Sequence, residues 1–123
     1  MSDAKVTVDE LRQMVRRFVA ERDWEQFHAP KNLSMALAIE AAELMEHFQW
    51  ISVELSRQLK DDAEKKAAIG EELADVICYA MALANELDLD ISETMRAKMQ
   101  KNEVKYPASE YQGKYGATDD GKR

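Results

Sequence analysis

The chain has 123 residues, enough for one domain with a modest core. Its 17 basic and 24 acidic side chains leave a net charge of −7, which repels nucleic-acid polyanions and sets aside a duplex-binding role. A single cysteine, Cys78, excludes a disulfide framework or thiolate metal site within one chain. Its place inside an apolar run marks it as a small buried hydrophobe. Ala, Leu, Glu, Lys and Met abound, while Gly and Pro are sparse, which is a helical composition. The opening MSDAKVTVDE has no apolar signal core. No run approaches the roughly 18 apolar residues of a spanning helix, so the expectation is a cytoplasmic protein without a membrane segment.

Residues 1 to 6 read as a loose tail. Thr7 and Glu10 fit a capping box, and the helix it opens runs to about Asp23. Leu11, Met14, Val15, Phe18 and Val19 share one face of it. Arg12, Arg16, Arg17 and Arg22 read as a solvated face rather than a phosphate site. Pro30 biases Ala29 away from helix and Asn32 is a candidate N-cap. The connecting loop holds Trp24, Phe27 and His28. The aromatics either plug the end of a helical bundle or, with the imidazole, stack on and hydrogen-bond a flat base.

The stretch Asn32 to Trp50 carries Leu33, Leu37, Ala41, Leu44 and Phe48 at steps of three and four, one stripe of an amphipathic helix. Glu40 borders that stripe, Glu43 lies one step further round, and Glu46 falls on the far side. Ser52 can cap a short helix to about Leu59. Lys60 to Lys66 is a charged junction leading into a helix that ends near Leu87. Within it Glu72 and Asp75 lie three apart, and Gly70 calls for a close helix approach or room for a ligand. The run Val76 to Ala84 is apolar almost all round, so most of it is expected to be buried and one side to form a subunit interface. Asp90 with Glu93 makes another capping pattern. The helix that follows reaches about Tyr106, with Ile91, Met95, Met99 and Val104 facing inward and Lys98 and Asn102 neighbours on one face. Pro107 ends it. The domain reading is therefore a helical unit over 1–107 and a flexible tail over 108–123.

Two helices thus each bring a pair of acids to the edge of an apolar face. Carboxylates taken out of water shift their pKa or need a cation. Four of them, Glu40, Glu43, Glu72 and Asp75, converging on one place call for a divalent ion, and magnesium prefers hard oxygen ligands shared with substrate phosphates. The plainer alternative is that these are half-exposed acids on solvated helices, because E-x-x-E is common there.

IEAAELMEHFQW followed by GEELADVICY resembles the E-x-x-E…E-x-x-D signature of the all-α, MazG-like nucleoside triphosphate pyrophosphohydrolases. RDWEQFHAPKNL before it and KMQKNEVKYP after it resemble the dCTP pyrophosphatase branch, and the similarity spans about residues 8 to 107. The resemblance implies a four-helix-type bundle that assembles into a homo-oligomer, a dimer or a tetramer built as a dimer of dimers. It implies hydrolysis of a nucleoside triphosphate, dCTP or 5-modified dCTP, to the monophosphate and pyrophosphate. Glu40, Glu43, Glu72 and Asp75 fall on the family's Mg2+ ligands; by the chemistry, Glu43 is expected to activate the water, with Glu40 and Lys98 the other catalytic residues. Lys98 and Asn102 fall on positions that contact the phosphates and sugar. Trp24, His28, Trp50 and Tyr79 fall on the base and sugar pocket, partly supplied by a neighbouring subunit. Val15 stands where some relatives carry a substrate-contacting histidine, and the segment between Trp50 and Gly70 does not match closely.

Other readings are a MazG-like hydrolase of broader base preference such as dUTP, and a non-catalytic helical oligomerisation module. A di-iron carboxylate bundle also uses acids on facing helices, but it wants E-x-x-H pairs, and neither acid pair here has a histidine at that spacing.

Overall fold

The computed structural model describes residues 1–114. Among them every regular element is helical. α1 spans Val8–Glu21, α2 Pro30–Glu46, α3 Val53–Gln58, α4 Ala63–Glu86, α5 Ile91–Lys105 and α6 Ala108–Tyr111, with single 3₁₀ turns at Glu25–Phe27 and Leu59–Asp61. The chain divides into two compact units, Met1–Leu89 and a second from Asp90 onward.

The helix starts follow from local hydrogen bonding. At α1 the capping box forms in full: the Glu10 amide donates to Thr7 Oγ1 at 3.1 Å, and the Thr7 amide donates back to Glu10 Oε2 at 2.7 Å. Ser52 Oγ accepts from the Leu55 amide at 3.1 Å and opens α3. Asp90 Oδ1 accepts from the Glu93 amide at 2.8 Å and opens α5.

One start differs from the sequence expectation, and one is made sharper. α2 begins at Pro30 with Ala29 as N-cap, because Pro30 occupies the first helical position, where its fixed φ suits a helix and no amide is missed. Asn32 therefore lies inside the first turn, and its Nδ2 donates to the Phe27 carbonyl at 3.3 Å instead of capping. The charged junction hides a cap: Asp62 Oδ1 accepts from the Lys65 amide at 3.1 Å, so α4 starts at Ala63.

In the first unit α4 is the shared partner. α2 packs along it most extensively and α1 lies against it as well. Val19 from α1, Leu33 from α2, and Met81, Ala82 and Ala84 from α4 are buried among the described residues. Leu37 and Leu44 of the α2 stripe are half-buried, as is Phe48 in the turn just past the helix, while Ala41 is exposed. The apolar run of α4 is less covered than expected: Ile77 is 45% exposed, and Cys78 is exposed rather than buried. Met35 and Ile39 on α2 and Leu73 on α4 also face outward. A helix that is apolar on all sides exceeds what two neighbouring helices can cover.

In the second unit Ile91 is half-buried, but Met95, Met99 and Val104 are exposed, so these three do not face inward in a single chain. The tail expected from residue 108 begins with the single turn of α6, where Tyr111 meets Tyr106 edge to face at 5.3 Å. Residues 115–123 of that tail lie outside the described residues. No helix among the described residues is long and apolar enough to cross a membrane.

Gly70, for which the sequence called for a close helix approach or room for a ligand, makes no close approach: a methyl built on it has no neighbour within 4 Å. Gly70→Ala is therefore expected to stabilise the protein by about 0.5 to 1 kcal/mol through helix propensity, read as a higher denaturant midpoint. A lower midpoint would show that something fills that space.

Candidate functional site

α2 and α4 carry the acids to one place. One carboxylate oxygen each from Glu40, Glu43 and Glu72 lie within 4.8 Å of one another. The i, i+3 spacing of Glu40 and Glu43 puts both on one side of α2, and the α2–α4 packing brings Glu72 opposite them. Glu40 and Glu72 are half-buried and Glu43 is exposed. Glu40 Oε2 and Glu72 Oε2 are sealed from water and accept no hydrogen bond. Buried polar atoms are rarely left so.

The electrostatics record the conflict. Burial pushes the Glu40 carboxyl above its ordinary range, and Glu43, Asp75 and Glu72 push the same way. Glu72 is also raised, first by burial and then by Glu43 and Asp75, while His47 pulls it down. Among the described residues the one side-chain ion pair joins Arg22 to Glu21 at 3.8 Å, so no Lys or Arg neutralises the acids. Three convergent carboxylates, two of them with an unpartnered buried oxygen, fit a divalent cation. Asp75 stands outside the close triplet but near enough to raise both glutamates.

Asp75 also lines a pocket of about 460 Å³. One wall is α1, with Met14, Val15, Phe18 and Val19, and the other is α4, with Asp75, Cys78, Tyr79 and Ala82. Trp24 and His28 from the connecting loop complete the lining. The ring of Trp24 packs edge to face on Phe18 with centroids 5.7 Å apart, and Arg22 covers the Phe18 ring at 3.7 Å. The backbone turn that delivers Trp24 passes through Asp23, which takes a positive φ of 54°. The Trp24 amide then donates to the Val19 carbonyl at 3.0 Å.

Of the residues expected at the site, the structure brings Glu40, Glu43 and Glu72 together in the cluster, and Trp24, His28, Asp75 and Tyr79 together in the pocket. Trp50 follows α2, is 88% exposed and does not line the pocket. Lys98 and Asn102 lie one turn apart on α5; Lys98 is exposed, and the Asn102 amide reaches Met99 Sδ at 3.9 Å.

Sequence reasoning missed Met14, Phe18 and Cys78 as pocket walls and His47 as a neighbour of Glu72. The signal for the first two was the width of the α1 apolar face, more than one helix could cover. Arg12 and Arg16, read as solvated, are engaged: both guanidinium groups donate to Asn85 on α4.

The sequence profile of the MazG-like family matches residues 35–117. The chain is 42% identical over 101 residues to mouse dCTP pyrophosphatase 1, covering 82% of this chain and 59% of that protein. It is 41% identical over 102 residues to the human protein of the same name, covering 83% and 60%. The chain thus spans about three-fifths of the length of these relatives. Its structure is similar to a crystal structure of a pyrophosphatase from Archaeoglobus fulgidus, with a TM-score of 0.76 and 35% identity over 87% of this chain and 98% of that one. With its profile match running through both acid pairs, the chain belongs to the MazG-like family.

Proposed function

We propose that this protein is a magnesium-dependent nucleoside triphosphate pyrophosphohydrolase whose preferred substrate is dCTP or 5-modified dCTP. The observation that carries the reading is the double role of Asp75, which presses electrostatically on the Glu40–Glu72 pair and also lines the aromatic pocket. A triphosphate has that shape: charged at one end, flat and stackable at the other. Trp24 and Tyr79 suit a base because every base presents a π face, and the likeness to dCTP pyrophosphatase 1 supports cytosine.

In this reading Glu40, Glu43, Glu72 and Asp75 hold the metal. When bound, magnesium neutralises phosphate oxygens and polarises the scissile P–O bond. Glu43, the exposed member of the triplet, orients the attacking water and accepts its proton. The water oxygen bonds to phosphorus, the bond between the α and β phosphoryl groups breaks, and pyrophosphate leaves. Lys98 adds positive charge where negative charge accumulates, Asn102 contacts the phosphate or sugar, and His28 hydrogen-bonds the nucleoside.

In this reading the catalytic unit spans 1–107, and the task is house-cleaning of the cytoplasmic nucleotide pool. The protein is proposed to act as a homo-oligomer, a dimer or a tetramer. The outward-facing Met35, Ile39, Leu73 and Ile77 support this, because scattered single apolar residues are ordinary but paired helical rows of them are not. The 88% exposed Trp50 is assigned to a neighbouring subunit's site.

With magnesium, pyrophosphate release from dCTP, 5-methyl-dCTP, dUTP, dTTP, dATP, dGTP and CTP is expected to be fastest for dCTP or its 5-methyl form. Glu40→Ala is expected to abolish it. If another nucleotide leads, the base assignment fails; if none is hydrolysed, the catalytic reading fails. Glu43→Gln should lower kcat by about 10²- to 10⁴-fold while retaining metal binding, and near-normal turnover would remove Glu43 from the water-activating role.

Metal-free stability tests the cluster without turnover. The folded carboxyls of Glu40 and Glu72 titrate above the ordinary value of 4.5. Between that value and the raised one the folded state holds more protons than the unfolded state. Their stabilising share is therefore full below the unfolded pKa and is lost as pH rises through the folded one. Without metal, Glu40→Gln should match wild type near pH 4.5 and exceed its Tm by a few degrees at neutral pH. Excess magnesium should reverse that order. A variant less stable than wild type at every pH without metal would contradict the repulsion.

A further inference from the structure

We infer that Asn85 is a positioning residue that holds α1 against α4 and so sets the width of the aromatic pocket. The inference rests on that pocket being the nucleoside site.

The hydrogen-bond pattern singles Asn85 out. Among the described residues, every side-chain hydrogen bond that reaches more than five positions along the chain falls on Asn85. Its Oδ1 accepts from Arg12 Nε at 3.0 Å and from Arg16 Nη2 at 3.2 Å. Its Nδ2 donates to the Arg12 carbonyl at 3.3 Å. One amide thus engages two guanidinium groups and a backbone carbonyl of the same helix. Bonds from charged donors are the stronger kind.

Little else holds that seam. Val19 is the only buried side chain of α1, whereas Met14 and Phe18, on the pocket wall, are 45% and 47% exposed. The pocket is the gap between α1 and α4, so any motion of α1 away from α4 changes its width directly. Asp75, Cys78, Tyr79, Ala82 and Asn85 recur at three- and four-residue steps and form one stripe of α4. Asn85 is the polar end of that stripe.

The clasp also adjoins the pocket. Arg16 and Asn85 line a smaller recess of about 160 Å³ together with Glu25. That recess shares Val15, Val19, His28 and Ala82 with the aromatic pocket. The carboxylate triplet lies on α2 and α4 and does not depend on α1. Loss of the clasp should therefore loosen nucleoside binding and leave the metal site and the chemical step in place.

The test uses the full chain carrying Asn85→Leu or Asn85→Asp, with Trp24→Ala alongside. Three quantities are read: hydrogen exchange of the α1 amides, KM and kcat for the best triphosphate, and the magnesium-induced shift in Tm. Asn85→Leu removes all three hydrogen bonds; it is expected to speed α1 exchange and raise KM by about tenfold, with kcat within about twofold. The magnesium shift should be unchanged. Asn85→Asp keeps an oxygen that both arginines can reach and should restore α1 protection and most of KM, an outcome that a merely misfolded leucine variant would not produce. Unchanged α1 exchange in Asn85→Leu overturns the inference. So does a raised KM for Trp24→Ala beside a normal KM for Asn85→Leu, which would leave Asn85 a structural clasp only. If Trp24→Ala also leaves KM unchanged, the pocket is not the nucleoside site, and both the reading and the inference resting on it fall.

Discussion

The structure is organised around a repulsion that the protein relieves on its own only by holding protons on its carboxylates. Glu40, Glu43 and Glu72 are held with carboxylate oxygens within 4.8 Å of one another, and two of those side chains hide an oxygen that nothing donates to. A fold that spends stability in this way needs rigid elements on both sides. α2 and α4 provide them: their packing is the most extensive in the first unit. Helices hold the backbone positions of their side chains better than loops, so the roots of the acids stay close together. Protonation is one relief; in the proposed reading a divalent cation is the other at neutral pH.

The second helix pair has a different character. α1 meets α4 over a thinner seam, with Val19 its one buried side chain, a polar clasp at Asn85 and an open pocket between. This division separates two tasks. The tight α2–α4 seam holds charge in fixed geometry, and the looser α1–α4 seam offers a flat space bounded by Trp24, Phe18 and Tyr79. Asp75 belongs to both, because α4 faces both partners. Elements with few buried contacts move most readily, so adjustment to a nucleoside would fall on α1 and leave the acids in place.

Much of this was legible in the chain. The acids could be read because three-residue spacing puts side chains on one helix face whatever the tertiary context. The capping box at Thr7 and Glu10 and the caps at Ser52 and Asp90 were legible for the same reason: their partners are three residues away. Features that depend on another helix were not. Cys78 reads as core from its neighbours, yet it opens onto a pocket whose existence depends on where α1 sits. Arg12 and Arg16 read as solvated, because their acceptor is some seventy positions away. Gly70 reads as either a contact point or room for a ligand, and only the packed structure shows that the space there is open. An apolar stripe says that a face avoids water; it does not say whether protein, ligand or another subunit covers it. The resemblance to the MazG-like family added the site assignment, and the family itself is shown by the match over residues 35–117.

The central claim is that the carboxylate cluster and the aromatic pocket act as one site through Asp75. Calorimetric titration of magnesium, with and without a dCTP analogue carrying an imido bridge between its α and β phosphates, tests it most directly. If the two features form one site, each ligand should tighten the other by the same factor, about tenfold or more. Binding of the analogue with equal affinity in the presence and absence of magnesium would contradict the account.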